Sequence, residues 1–201
     1  MSHHQQQSSN GHDDDDLNPT TTAGYRVGEK KTMDQYNELD ANDESLRRWK
    51  ESLGIPAASA AGAGNDPHNV QVMRLALQVE GRPDVILDLT QSDDLIKKHP
   101  FTIKEGVEYR LRVEFHVRNS IVSGLKYLHV VKRKGMRVDK MEAMIGSYAA
   151  SPDLYTKIFQ TEDAPSGILF RGSYDVKSKF IDDDGTVHRE WNWSFDIKKD
   201  W

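Results

Sequence analysis

The 201-residue chain is long enough for one ordinary domain with extensions, and with 36% hydrophobic residues it can bury a core. Its net charge of −5 comes mostly from Asp13–Asp16, which leaves residues 25–201 near neutral and without the basic excess that nucleic-acid binding requires. There is no cysteine, so disulfide scaffolds are excluded and a reducing compartment is the natural setting. No apolar run reaches the ~20 residues that span a bilayer. The opening MSHHQQQSSNGHDDDD has neither a basic n-region nor an apolar h-region, and the closing KKDW is no prenylation box. A soluble cytoplasmic protein is expected, one that meets membranes only transiently and at their surface.

Residues 1–24 are His, Gln, Ser, Asp and Thr with almost no large apolar side chain, so they read as a disordered acidic tail. Residues 25–54 turn helical. Thr32 and Gln35 have capping-box spacing, and Met33, Tyr36 and Leu39 share a helical face. The stretch DAND interrupts, and Asn42 or Asp43 can cap a second helix carrying Leu46, Trp49 and Leu53 at i, i+3 and i+7. Gly54 and Pro56 stop it. Two helices this short are marginal alone in water. Residues 55–68, IPAASAAGAGNDPH, read as a linker.

From residue 69 the period becomes two. In VEYRLRVEFHVR (107–118) the odd positions are apolar and the even ones polar, without a fault. Met73, Leu75, Leu77 and Val79 alternate in the same way, as do Val85, Leu87 and Leu89, and Trp191, Trp193, Phe195 and Ile197. Turn signals separate the runs: GRPD (81–84), KEG (104–106), RKG (133–135), APSG (164–167) and DDDG (182–185). The pattern predicts a mainly β fold over 69–201, an immunoglobulin-like antiparallel sandwich behind a helix-turn-helix arm.

Catalytic chemistry finds no support. H-E-x-x-H, G-x-S-x-G and P-loop motifs are absent, and DDDG lacks the alternating spacing and final Glu of a calcium loop. Neither a metal site, a cofactor nor an enzymatic activity is expected.

Several long stretches resemble the Rho GDP-dissociation inhibitor family, in the family's order: ELDANDESLRRWKESLG, IKEGVEYRLRVEF, IVSGLKYLHVVKRKGMRVDK, MIGSY, RGSYDVKSKFIDDD and WNWSFDIKKDW. The resemblance runs from about Tyr25 to Trp201. It implies a protein that binds prenylated Rho-family small GTPases, mainly GDP-bound, slows GDP release and keeps them off membranes. A prenyl-binding sandwich chaperone without GTPase regulation is the alternative, and the arm motif speaks against it.

By the same resemblance, an isoprenyl slot between the sheets would be lined by Leu77, Phe101, Tyr109, Ile121, Val176 and Trp193. Asp139 would be an acid at its entrance. Asp43 would accept a hydrogen bond from a switch threonine, Leu46, Trp49 and Leu53 would supply the arm's apolar contact, and Asp184 would meet basic switch residues. Trp49 and Ala143 stand where relatives carry tyrosine. Thr32 and Ser173 match phosphorylatable positions, and Pro100 replaces a third. Asp13–Asp16 could attract a basic partner segment.

Overall fold

Alternating side chains force one face of each strand inward, and the computed structural model shows where those faces meet. It describes residues 17–20, 24, 35, 38, 43–52, 69–118 and 120–201. Helix α1 (Glu44–Ser52) precedes β1 (Val70–Gln78), β2 (Val85–Asp88), the short helix α2 (Asp93–Lys97), β3 (Phe101–Lys104) and β4 (Glu108–Val117). The long pair β5 (Val122–Arg133) and β6 (Met136–Tyr148) follows, then β7 (Tyr155–Ile158), β8 (Glu162–Asp163), β9 (Gly172–Ile181) and β10 (Val187–Lys198). Among the described residues no helix is long and apolar enough to cross a membrane.

The strands form two sheets that face each other as an immunoglobulin-like sandwich. One has the order β2-β1-β4-β7, with β8 also pairing β4, and the other β3-β10-β9-β5-β6. The sandwich is not wholly antiparallel: β3 runs parallel to β10, Phe101 opposite Phe195. All five expected turns fall between strands. In the 133–135 turn, Lys134 (φ 50°) and Gly135 (φ 79°) form a left-handed pair, which matches the twist of the long β5–β6 hairpin. Gly124 (φ 60°) lies in a bulge of β5, and a Cβ there would fall 1.8 Å from Asp183 Oδ2, so the hairpin turn after β9 can close over β5 only because this residue has no side chain.

The alternation predicted for β1 needs one correction. Val72 pairs with Phe115 but Arg74 pairs with Glu114, so Met73 is an extra residue in a β-bulge. The bulge switches the inward phase from Val70 and Val72 to Leu75 and Leu77, and Met73 is only half-buried. A second departure concerns the tail. Asp13–Asp16 lie outside the described residues, but Leu17 is fully buried on the outer face of the second sheet with Leu128, Val130 and Ile181. The Thr20 backbone N–H and hydroxyl donate to the Glu142 carboxylate at 3.0 and 2.9 Å. The Asn18 and Thr20 carbonyls accept from Lys140 and Lys126, so one buried leucine and a few polar bonds dock residues 17–20.

The inter-sheet core is uneven. At the end where β4 finishes and β5 begins, Phe115, Tyr148, Tyr155 and Phe180 pack ring on ring at 4.6–5.9 Å between centroids. Tyr127, Phe159 and Trp191 continue the stack. Replacing Phe115, which is fully buried, by alanine should remove about 3–5 kcal/mol of stability through lost burial and a residual cavity. Urea unfolding measures it, and a loss under about 1 kcal/mol would show that this cluster does not hold the sheets together.

Candidate functional site

At the opposite end the sheets leave a cavity of about 350 Å³, within the usual range for small-ligand sites. Leu77, Tyr109 and Leu111 line it from one sheet. Trp193, Phe195 and Ile197 of β10, Tyr174 of β9, and His129 and Val131 of β5 line it from the other. Asp139 of β6 and the 162–170 segment complete the wall.

Buried polar groups fix the deep wall. The Trp193 indole N–H donates to Ser178 Oγ at 2.8 Å, and the Tyr127 hydroxyl shares that same oxygen at 3.0 Å. His129 Nδ1 lies 3.3 Å from the Tyr127 hydroxyl, so His129, Tyr127, Ser178 and Trp193 form one chain. Burial raises the Tyr127 phenol far above its ordinary pKa, and it stays neutral. With its polar edge occupied, Trp193 presents an apolar ring to the cavity, braced edge-on by Phe101 at 5.4 Å.

Polar groups also line the cavity. The Tyr109 hydroxyl donates to Glu162 at 2.8 Å, and burial, then the adjacent carboxylate, holds the phenol protonated. His129 Nε2 has no hydrogen-bond partner and stands 4.0 Å from the Asp139 carboxylate. That imidazole first, then the Lys140 backbone N–H, keeps the Asp139 carboxyl below the usual carboxylate range. The 164–171 segment is stapled at both ends. Arg133 donates to the Leu169 carbonyl and, at 2.6 Å, to the Arg171 carbonyl. Arg171 grips Glu105 with bonds of 2.9 and 2.6 Å, and the Gly167 N–H adds a third at 2.9 Å.

The structure therefore brings Leu77, Tyr109, Trp193 and Asp139 to one cavity. Phe101 and Val176 are buried in the adjoining core and are not part of its wall. Ile121 precedes β5 at the strand's far end, roughly 30 Å along β5 from Val131, so it does not line this cavity. Ala143 packs at the edge of the core, away from the wall. Sequence reasoning missed His129, because β5 is buried on both faces, Leu17 covering the outer one, and its alternation is erased.

In the arm, Asp43 caps α1: its Oδ1 accepts the N–H groups of Ser45 at 2.9 Å and Leu46 at 3.1 Å. Asp43 and Leu46 are exposed, and Trp49 lies on the same helix. Leu53, Thr32 and the 55–68 linker lie outside the described residues. Asp184 is exposed in the β9–β10 turn. Asp182 opens the DDDG turn but is not exposed with Asp184. It is buried, accepts the Thr186 N–H at 2.8 Å and pairs with His188 at 2.9 Å.

The model of the family described as RHO protein GDP dissociation inhibitor matches residues 6–200. The chain belongs to the Rho GDP-dissociation inhibitor family. Relatives include the Rho GDP-dissociation inhibitor of Schizosaccharomyces pombe, 44% identical over 177 residues (87% of this chain, 86% of that one). Rho GDP-dissociation inhibitor 1 of Homo sapiens is 44% identical over 184 residues, 90% of this chain and 88% of that one. Among solved structures, the C-terminal domain of wzt is similar with a TM-score of 0.46 and 10% identity, over 72% of this chain and 86% of that one. As a Rho GDP-dissociation inhibitor family member, the chain is a regulator and not an enzyme.

In this family member the staple beneath the cavity mouth can be read by titration. The Arg171 hydrogen bonds, then the Gly167 N–H, lower the Glu105 carboxyl from an ordinary 4.5 to about 2. A depressed pKa means that the staple is complete above the ordinary value and is lost as pH falls from there through about 2. Carboxyl NMR of Glu105 should give a midpoint near 2 that returns toward 4.5 in Arg171→Met. A midpoint near 4.5 in the unsubstituted protein would remove the staple.

Proposed function

We propose that this chain inhibits GDP dissociation from Rho-family GTPases, acts mainly on their GDP-bound form, and carries them off membranes by taking the prenyl tail into the cavity between the sheets. Family membership supports the inhibitor reading. The observation that carries the lipid reading is the apolar cavity itself, with Leu77, Tyr109 and Trp193 in its wall. A prenyl tail of roughly fifteen to twenty carbons, at about 0.8 kcal/mol per buried CH₂, favours a membrane by several to more than ten kcal/mol. A carrier needs comparable burial, and the gap between two sheets supplies it without unfolding either.

In this reading residues 25–54 are a regulatory arm, 55–68 a linker and 69–201 the lipid-binding domain, preceded by the acidic tail 1–24. The arm covers the GTPase switches with Leu46, Trp49 and Leu53. Both capping bonds of Asp43 use one carboxylate oxygen, so its cap and a hydrogen bond from a switch threonine to the other oxygen are compatible. Asp184, at the far end of β9 from the cavity, meets basic switch residues, while Asp139 meets the segment that leads into the cavity. Phosphorylation is a second level of control, at Thr32 in the arm and at Ser173. The Ser173 hydroxyl donates to Asp196 at 2.7 Å, so phosphate there replaces a hydrogen bond with like-charge repulsion.

GDP release from a geranylgeranylated and an unprenylated Rho-family GTPase tests both halves. Release should slow with each, and binding should be at least about tenfold tighter with the prenylated form. Asp43→Ala should relieve inhibition and leave lipid binding intact. Equal affinity for the two forms would defeat the cavity reading, and unchanged inhibition by Asp43→Ala would take Asp43 out of the switch contact.

A further inference from the structure

Two loops flank the cavity mouth, and both push apolar side chains into water. On the β5–β6 hairpin, Met136 and Val138 are 70% and 53% exposed. On the 164–171 segment, Ile168 and Leu169 are each 78% exposed and Phe170 is 46% exposed. Val138 and Phe170 also belong to the cavity wall, so the apolar lip is continuous with its interior. The outward display is built in. Arg133 on the hairpin bonds the carbonyls of Leu169 and Arg171 and lies 5.2 Å over the Tyr174 ring, and the Arg171–Glu105 pair pins the segment's base. These bonds hold the backbone of the lip in place while Ile168 and Leu169 remain uncovered.

The same hairpin is locally cationic. KRKGMRVDK (132–140) holds five Lys and Arg against Asp139 alone, a net +4 in a chain of net −5. Lys134, Arg137 and Lys140 are exposed around the apolar residues. Apolar tips on two loops, with the cations of the hairpin beside them, match a surface that is anionic at headgroup level and apolar just beneath. A protein groove would instead have to supply acidic and apolar pockets for two separate loops.

We propose that this lip docks on the anionic leaflet of a membrane: Ile168, Leu169, Phe170, Met136 and Val138 enter the headgroup–acyl boundary, and Lys134, Arg137 and Lys140 bind anionic headgroups. The proposal deepens the reading above, since a bilayer is where a prenyl tail resides before it is taken up. Docking sets the cavity mouth against the lipid, and the tail crosses from acyl chains to cavity wall with little exposure to water.

The test uses the full chain without any GTPase. Co-sedimentation with vesicles of phosphatidylcholine containing phosphatidylserine should show binding that weakens as salt is raised, and binding to pure phosphatidylcholine should be weaker by on the order of tenfold or more. Ile168→Ser with Leu169→Ser, and separately Lys134→Glu with Arg137→Glu, should each reduce binding by a similar factor, with urea midpoints unchanged because all four residues are on the surface. Equal sedimentation of variants and unsubstituted protein, or none with either vesicle, overturns the proposal. So does a variant pair that weakens GTPase affinity in detergent and leaves vesicle binding unchanged, since the lip would then be a protein contact. With no GTPase present, failure here leaves the inhibitor reading standing, and failure of the GDP-release assay leaves vesicle binding unaffected.

Discussion

The two sheets are clamped at one end and held apart at the other, and the rest of the molecule follows from that asymmetry. Phe115, Tyr148, Tyr155 and Phe180 fill the gap where β4 ends and β5 begins. Past Trp191 the filling is incomplete, because the next ring, Trp193, is held against its own sheet by the Ser178 hydroxyl. A tryptophan with its N–H bonded sideways cannot swing across to close the gap without leaving a buried donor unsatisfied, a cost of about 1–3 kcal/mol. The space therefore stays open as a cavity and does not collapse into core.

Strand length then separates the functions. From Gly172, beside the cavity, β9 runs roughly 30 Å to the acidic turn that bears Asp184. That turn is kept rigid from within by the buried Asp182–His188 pair. The cavity mouth is kept rigid by Arg133, Arg171 and Glu105. A partner the size of a small GTPase can touch both ends at once, with its folded part near one and its lipidated tail at the other. In the proposed function the arm adds a third contact through α1, a nine-residue helix that is too short to be stable alone and suited to completion by a partner.

Most of the sandwich was legible in the chain, because β4 and residues 191–197 of β10 alternate without error and each of the five expected turns carries its own glycine or proline. What could not be read lies where a second layer intervenes. The Met73 bulge shifts the phase of β1, and no local residue type announces it. β5 lost its alternation because Leu17 covers its outer face, and with it went the signal for His129. Helix α2 was passed over although Ser92, Asp93 and Asp94 mark its start and Pro100 its end, since five residues carry too little periodicity to detect. The resemblance put Leu77, Tyr109 and Trp193 in a slot and Asp139 at its entrance, and all four border one cavity. It did not separate wall from neighbouring core for Phe101 and Val176, and Ile121 belongs to the opposite end of β5.

The central claim is that the space between the sheets is where lipid is held. Val131 lines the cavity and is almost fully buried, so Val131→Trp fills it from within. Binding of a fluorescent geranylgeranyl-cysteine to this variant, whose fold is verified by its urea transition, is the direct measurement. The account predicts that binding is lost by on the order of a hundredfold or more, equivalent to about 2.7 kcal/mol, while the variant remains folded. A folded Val131→Trp protein that binds the lipid as well as the unsubstituted chain would contradict it.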